Sequence, residues 1–186
     1  VESWPDLAPE VIAAPDAHNH LVRTLEFFPQ EGKYFADGHR ECGLRLTADE
    51  TKAHGGKCPK CGKKITRGVL GRIDLLADRP EGVKPAGAAP FTHLVPLRTL
   101  IGMALGQGAK TQKVERAYDA LITAFGNEIA ALEAKPQEIG KKMAGKIEPA
   151  VSKKISNAIS LMQQEKLELK AGYDGQYGEV GLPKNE

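Results

Sequence analysis

Two of the three cysteines sit as Cys58-Pro59-Lys60-Cys61-Gly62. Thiolates two residues apart can hold one cation from a single tight turn, and a glycine after the second allows the backbone to bend away. A tetrahedral ion needs two further donors. His39-Arg40-Glu41-Cys42 offers them at the same interval, so two ligand pairs face each other across fifteen intervening residues, a zinc-ribbon layout. His54, four residues before Cys58 in the stretch His54-Gly55-Gly56, is a second candidate for the fourth position; the matched spacing favours His39. Four protein donors leave no place for water, so the expected metal is a structural zinc and not a catalytic one. Three cysteines cannot pair completely into disulfides. A redox pair would also need a strand-to-helix setting that this glycine-rich region lacks.

Around this core the charge is segregated. Residues 1–32 carry one arginine against six acids, residues 33–72 carry ten Lys/Arg against four acids, and residues 110–154 carry nine against six. The formal total of +2 therefore hides two basic stretches, and a basic face attracts phosphate. Only 5% of the residues are aromatic, so a core would rest on Leu, Ile, Val and Ala, which suits small helical packing. No window reaches the roughly 18 uninterrupted apolar residues of a membrane span, and no basic-then-apolar leader opens the chain. The expected setting is the cytoplasm, without a membrane partner. The first residue is Val1, which fits a fragment cut from a longer chain.

The chain divides into an acidic leader (1–32), a zinc-ribbon-like subdomain (33–82), a Pro/Gly/Ala linker (83–90), a helical domain (91–165) and a tail or hairpin (166–186). The fold expected is mainly α with a small β zinc ribbon. Short strand-like runs occur at Leu25–Phe28, Gly43–Leu46 and Ile65–Leu70. Apolar spacing predicts helices near 96–105, 111–125, 128–134, 137–143 and 150–163, with Asn127 as an N-cap and Pro136 and Pro149 in first turns. Asp16-Ala17-His18-Asn19-His20 has the Asp-x-His-x-His form with which some metallohydrolase barrels begin. The further ligands such a barrel spreads over ~200 residues do not follow it, and a surface segment is the better expectation. No Gly-x-x-x-x-Gly-Lys-Ser/Thr loop is present to power an ATPase.

From Leu121 to Ile155 a helix ends at Phe125-Gly126, a short helix follows, Pro136 opens another, and Ala144-Gly145-Lys146 leads into a basic final helix. This plan resembles a helix-hairpin-helix, which grips DNA backbone without reading sequence: turn amides and a helix N-terminus meet a phosphate beside lysines. Candidate contacts are Gly145, Lys146, Lys153 and Lys154, although Ala144 stands where such hairpins usually carry a glycine.

The order of Phe27-Phe28-Pro29-Gln30-Glu31-Gly32-Lys33-Tyr34, Asp37-Gly38-His39-Arg40, the two cysteine motifs, Leu94-Val95-Pro96-Leu97, Phe125-Gly126-Asn127-Glu128 and Gly172-Tyr173-Asp174-Gly175-Gln176-Tyr177-Gly178 resembles the downstream half of endonuclease Q. The resemblance implies an upstream metal-dependent nuclease domain of the polymerase-and-histidinol-phosphatase type, in the same or another chain. It also implies a zinc-binding and a helical region, and cleavage of DNA beside deaminated bases such as uracil and hypoxanthine. No catalytic residue of that family can be carried onto a position of this sequence. A rival expectation from the residues alone is a zinc-ribbon module that docks another protein without touching DNA.

Overall fold

A computed structural model describes residues 21–183. In chain order come β1 (Thr24–Glu26), β2 (Asp37–His39), β3 (Leu44–Leu46), α1 (Ala48–Ala53), α2 (Val69–Leu76), β4 (Phe91–His93), α3 (Leu97–Leu105), α4 (Gln112–Phe125), α5 (Glu128–Glu133), α6 (Pro136–Met143), α7 (Pro149–Gln163), β5 (Glu168–Lys170) and β6 (Glu179–Gly181). The fold is mainly helical with three two-stranded sheets among the described residues.

The helical body forms because each helix carries one apolar stripe. In α7, Val151, Ile155, Ala158, Ile159 and Met162 are buried, the i, i+4, i+7, i+8, i+11 pattern of a single face. Val114, Ala117 and Leu121 do the same in α4, and Leu97, Leu100 and Ile101 in α3. Each of the Val, Leu, Ile and Met side chains contributes about 1.5–3 kcal/mol when removed from water, so this shared core is the main source of stability. The helix ends are fixed by local chemistry. Asn127 Oδ1 accepts from the Ala130 amide at 2.8 Å to start α5, and Pro136 and Pro149 open α6 and α7, where their missing N–H costs nothing. Arg98 on α3 grips Glu115 on α4 with two hydrogen bonds of 2.9 and 2.7 Å and lies 3.5 Å above the Tyr118 ring. Tyr118 in turn donates to Glu128 at the head of α5.

The segment expected as the end of the acidic leader enters this body. β1 pairs in parallel with β4, Thr24 opposite Phe91, and Phe28 is buried in the helical core. Arg23 also forms an ion pair with Glu133 of α5.

The second unit is small. β2 and β3 form an antiparallel pair, with Asp37 opposite Leu46, and its apolar centre consists of Leu46, Cys58 and Ile65, with Cys42 and Leu44 against them. The Ile65–Leu70 run expected as a strand contributes one isolated bridge, Gly38 to Thr66, and then turns into α2. The helix starts because buried Asp37 accepts from the Gly68 amide at 2.7 Å, giving its first turn a carboxylate. α1, also unexpected, begins with a capping box in which Thr47 and Glu50 satisfy each other's backbone amides.

β5 and β6 pair antiparallel, Leu169 opposite Val180. The loop between them returns to the small unit: Gly172 N–H donates to Gln30 O at 2.8 Å, Gly175 N–H to Lys33 O at 2.9 Å and Gly178 N–H to Glu31 O at 3.0 Å. A β-carbon on Gly178 would lie 2.0 Å from Gln30 O, so this close passage requires glycine.

Candidate functional site

The backbone closes each ligand pair in a tight turn. After Cys61, Gly62 has φ +74°, and its amide donates back to Cys58 O at 2.8 Å. After Cys42, Gly43 has φ +60°, and its amide donates to Arg40 O at 2.9 Å. Each pair thus ends on a glycine in the left-handed region, which lets the donors point inward while the chain exits sideways. Lysines tie the turns together: Lys60 Nζ donates to Cys42 O at 2.9 Å, and Lys63 Nζ to Glu41 at 2.9 Å. Sequence reading missed these two crosslinks, since nothing in the spacing pairs residues 18 and 22 positions apart.

The donor atoms of His39, Cys42, Cys58 and Cys61 all lie within 4.8 Å of one another. His39 Nδ1 is 3.7 Å from Cys61 Sγ. Donors on a tetrahedral zinc, with bonds of about 2.3 Å to sulfur and 2.05 Å to nitrogen, stand roughly 3.6 Å apart, so the separation fits. Three soft thiolates with one imidazole make zinc the plausible ion. Cys58 and His39 are buried, Cys42 is half-buried and Cys61 is exposed at the rim. His54 lies outside the cluster, exposed at the C-terminal end of α1.

Crowding three thiols together has an electrostatic cost. The Cys42 thiol is pushed up to about 11, chiefly by its hydrogen bond with Cys61 and then by burial and Cys58. Cys58 moves the other way despite burial, because the amides of Lys60 and Cys61 and the neighbouring thiols stabilise its thiolate. A cation held among these sulfurs would offset that cost for Cys42.

Asp174, in the β5–β6 loop, reinforces the centre from outside. It accepts from the Arg40 amide at 2.6 Å and from the Thr66 hydroxyl at 2.6 Å, thereby fastening the His39–Cys42 turn. These two donors hold its carboxyl below the usual range although burial opposes them.

Gly145 and Lys146 lie in the α6–α7 connection, and Lys153 and Lys154 in the N-terminal half of α7. Gly145 has φ +75°, and the Lys146 amide donates to Met143 O at 3.0 Å, which closes the turn before Pro149. All four are exposed, and the three lysines have no ion-pair partner among the described residues. Beside them is a cavity of ≈300 Å³ lined by Gly140, Ala144, Ile147, Ser152 and Lys153. The buried Ser152 hydroxyl has no hydrogen-bond partner there. Asp16, His18 and His20 lie outside the described residues. The remaining histidine, His93, stacks on Phe28 at 4.8 Å and meets Glu165 at 3.0 Å, a packing role at the β4 end of the helical body.

Residues 96–166 match the family described as the MJ0043 C-terminal domain. The chain is 30% identical over 166 residues to the uncharacterized protein MJ0043 of Methanocaldococcus jannaschii, covering 89% of this chain and 20% of that protein. It is 32% identical over 162 residues to the uncharacterized protein YqxK of Bacillus subtilis, covering 86% and 35%. The crystal structure of the lesion-specific endonuclease PfuEndoQ from Pyrococcus furiosus superposes with a TM-score of 0.71 at 31% identity, over 86% of this chain and 38% of that one. An endonuclease Q complex with a 27-mer duplex substrate bearing an abasic lesion superposes at 0.67 and 30% identity, over 88% and 39%. The chain thus spans about a fifth to two fifths of the relatives it matches, and the resemblance read from its motifs holds over most of its own length.

Proposed function

We propose that this chain, which corresponds to one region of endonuclease Q, serves a DNA repair endonuclease that cuts beside deaminated bases such as uracil and hypoxanthine. Its part is that of a zinc-stabilised module gripping the DNA backbone. The observation that carries this reading is the superposition, at about 30% identity and over most of this chain, on a lesion-specific endonuclease and on an endonuclease Q bound to duplex DNA. Zinc at His39, Cys42, Cys58 and Cys61 would be structural, holding two turns that have little apolar core of their own. The α6–α7 turn would meet a phosphate. The first amides of α7 have no acceptor within the helix, the helix dipole favours an anion there, and Lys146, Lys153 and Lys154 add unpaired charge. Such contacts fix position on a duplex without reading its sequence. Strand cleavage would belong to a nuclease domain, in the same or another polypeptide, and to none of residues 21–183.

The test replaces Lys146 and Lys153 together with Glu and titrates duplex DNA at several salt concentrations. Affinity should fall at least tenfold, about 1.4 kcal/mol. The slope of log affinity against log salt should flatten by about 1.8, for two lost phosphate contacts. The same swap at Lys110 and Lys113, exposed at the start of α4, should do much less. Equal losses at both pairs would reduce the claim to diffuse attraction.

A second reading, docking onto another protein, is favoured by one observation. Val69, Leu70, Ile73 and Leu76 of α2 are 44–65% exposed and lie on one helix face. Unchanged DNA affinity in both lysine variants would favour it, since apolar docking releases no counterions.

A further inference from the structure

We infer that the surface where residues 33–34 meet the loop 172–178 holds one unpaired nucleobase against Tyr177. The inference rests on the nucleic-acid reading above but uses none of its residues. Tyr177 is 75% exposed and Tyr34 47% exposed. Lys33 Nζ lies 5.6 Å from the Tyr34 ring centre and 5.8 Å from that of Tyr177, so one ammonium stands between two open aromatic faces. Tyr177 also lines a cleft of ≈250 Å³ shared with Arg45, Lys170, Gln176 and Glu179. That space is on the scale of a single base, below the usual range of drug-sized sites.

Tyrosine is enriched at binding interfaces, where its ring meets apolar surface and its hydroxyl stays wet. This one is also held rigidly. Three backbone hydrogen bonds pin Gly172, Gly175 and Gly178 to residues 30–33, and Asp174 anchors the loop tip to the metal-bearing turn. Arg45 is fixed by donating to Ala171 O at 2.9 Å, and Lys170 by its ion pair with Glu179 at 2.8 Å. A ring presented by a fixed loop loses little freedom when a ligand stacks on it. A flat ring for the base, cations for the flanking phosphates and polar side chains for the base edge together suit nucleic acid. Bases inside a duplex hide their faces, so the occupant is a base from a single strand or one turned out of the stack.

The experiment uses the full chain, zinc-loaded, with a short single-stranded oligodeoxynucleotide and a strand of equal length built of abasic sites. Tyr177→Ala should weaken binding of the base-bearing strand about tenfold, about 1.4 kcal/mol, and Tyr177→Phe should stay within about twofold. The abasic strand should bind wild type and Tyr177→Ala alike, and the salt slope should not change, since no phosphate contact is lost. Tyr34→Ala, the second ring beside Lys33, provides an independent variant with an expected loss of about threefold or more. Metal content and helicity report that each variant folds. The base site is overturned if neither tyrosine change matters, if Tyr177→Phe loses as much as Tyr177→Ala, or if the abasic strand loses equally. If the Lys146/Lys153 swap flattens the salt slope while the tyrosine variants bind normally, only the base site falls. If the tyrosines matter and the lysines do not, the base site stands and the phosphate grip falls.

Discussion

Replacing Cys58 with Ser tests whether metal binding or packing holds the small unit together. Cys58 is 2% exposed and shares its apolar centre with only two other buried residues, Leu46 and Ile65. Burying those two side chains contributes about 3–6 kcal/mol, whereas a structural zinc in a small domain supplies about 10–16 kcal/mol at neutral pH. A bound zinc would therefore outweigh the packing about twofold or more. A serine hydroxyl, a hard and weakly acidic donor, forfeits most of that binding. Amide hydrogen exchange would resolve the consequence by region. The Gly38, Cys58, Gly62 and Thr66 amides, all hydrogen-bonded within the small unit, should lose protection by orders of magnitude. Those around Leu121, Ile155 and Ile159, at the centre of the helical core, should keep theirs. Retained protection around Cys58 would show that the unit is held by packing. Parallel loss in α7 would show that the two units unfold as one.

Two further outcomes follow from the same geometry. Gly178→Ala, whose β-carbon would stand 2.0 Å from Gln30 O and 2.5 Å from Lys170 O, should lower the melting temperature by the equivalent of about 1–3 kcal/mol, as overpacking does; an unchanged melt would mean that the loop can move aside. Loading zinc at pH 7 should release protons, because the Cys42 thiol, pushed up to about 11, is protonated in the metal-free protein while the Cys58 thiol is shifted down. Since binding expels at least the Cys42 proton, apparent affinity should fall at least about tenfold for each pH unit lost. Calorimetry in buffers of different ionisation enthalpy checks this, and zero release would mean that the thiols do not take part.

The metal cluster and the helices were legible because both are local patterns. Ligand intervals of two residues and a 3.6-residue apolar period survive in a single stretch of sequence, so the five long-core helices were placed to within a residue or two of α3 to α7. What went unread depends on distance or on sparse signals. Thr24 pairs with Phe91, 67 positions away, and no local period announces a parallel partner. α2 has apolar residues at five of its eight positions, which alternation cannot tell from a strand. Its helical start is set by Asp37, 31 residues upstream of Gly68. The grip of Asp174 on Arg40 spans 134 residues, and only the compact glycine motif around it hinted at a special loop.

That grip also sets a timetable. On a ribosome the four candidate metal donors have all been made by Cys61, so the two turns could close around an ion early, on short loops. The β1–β4 pairing must wait for residue 93, and the final clasp for residues 172–178. Because residues 30–40 and 172–178 meet at this seam, the outer wall of the His39–Cys42 turn stays open until residue 178 has been made. Closure by this loop is then the step that joins two separately collapsed pieces.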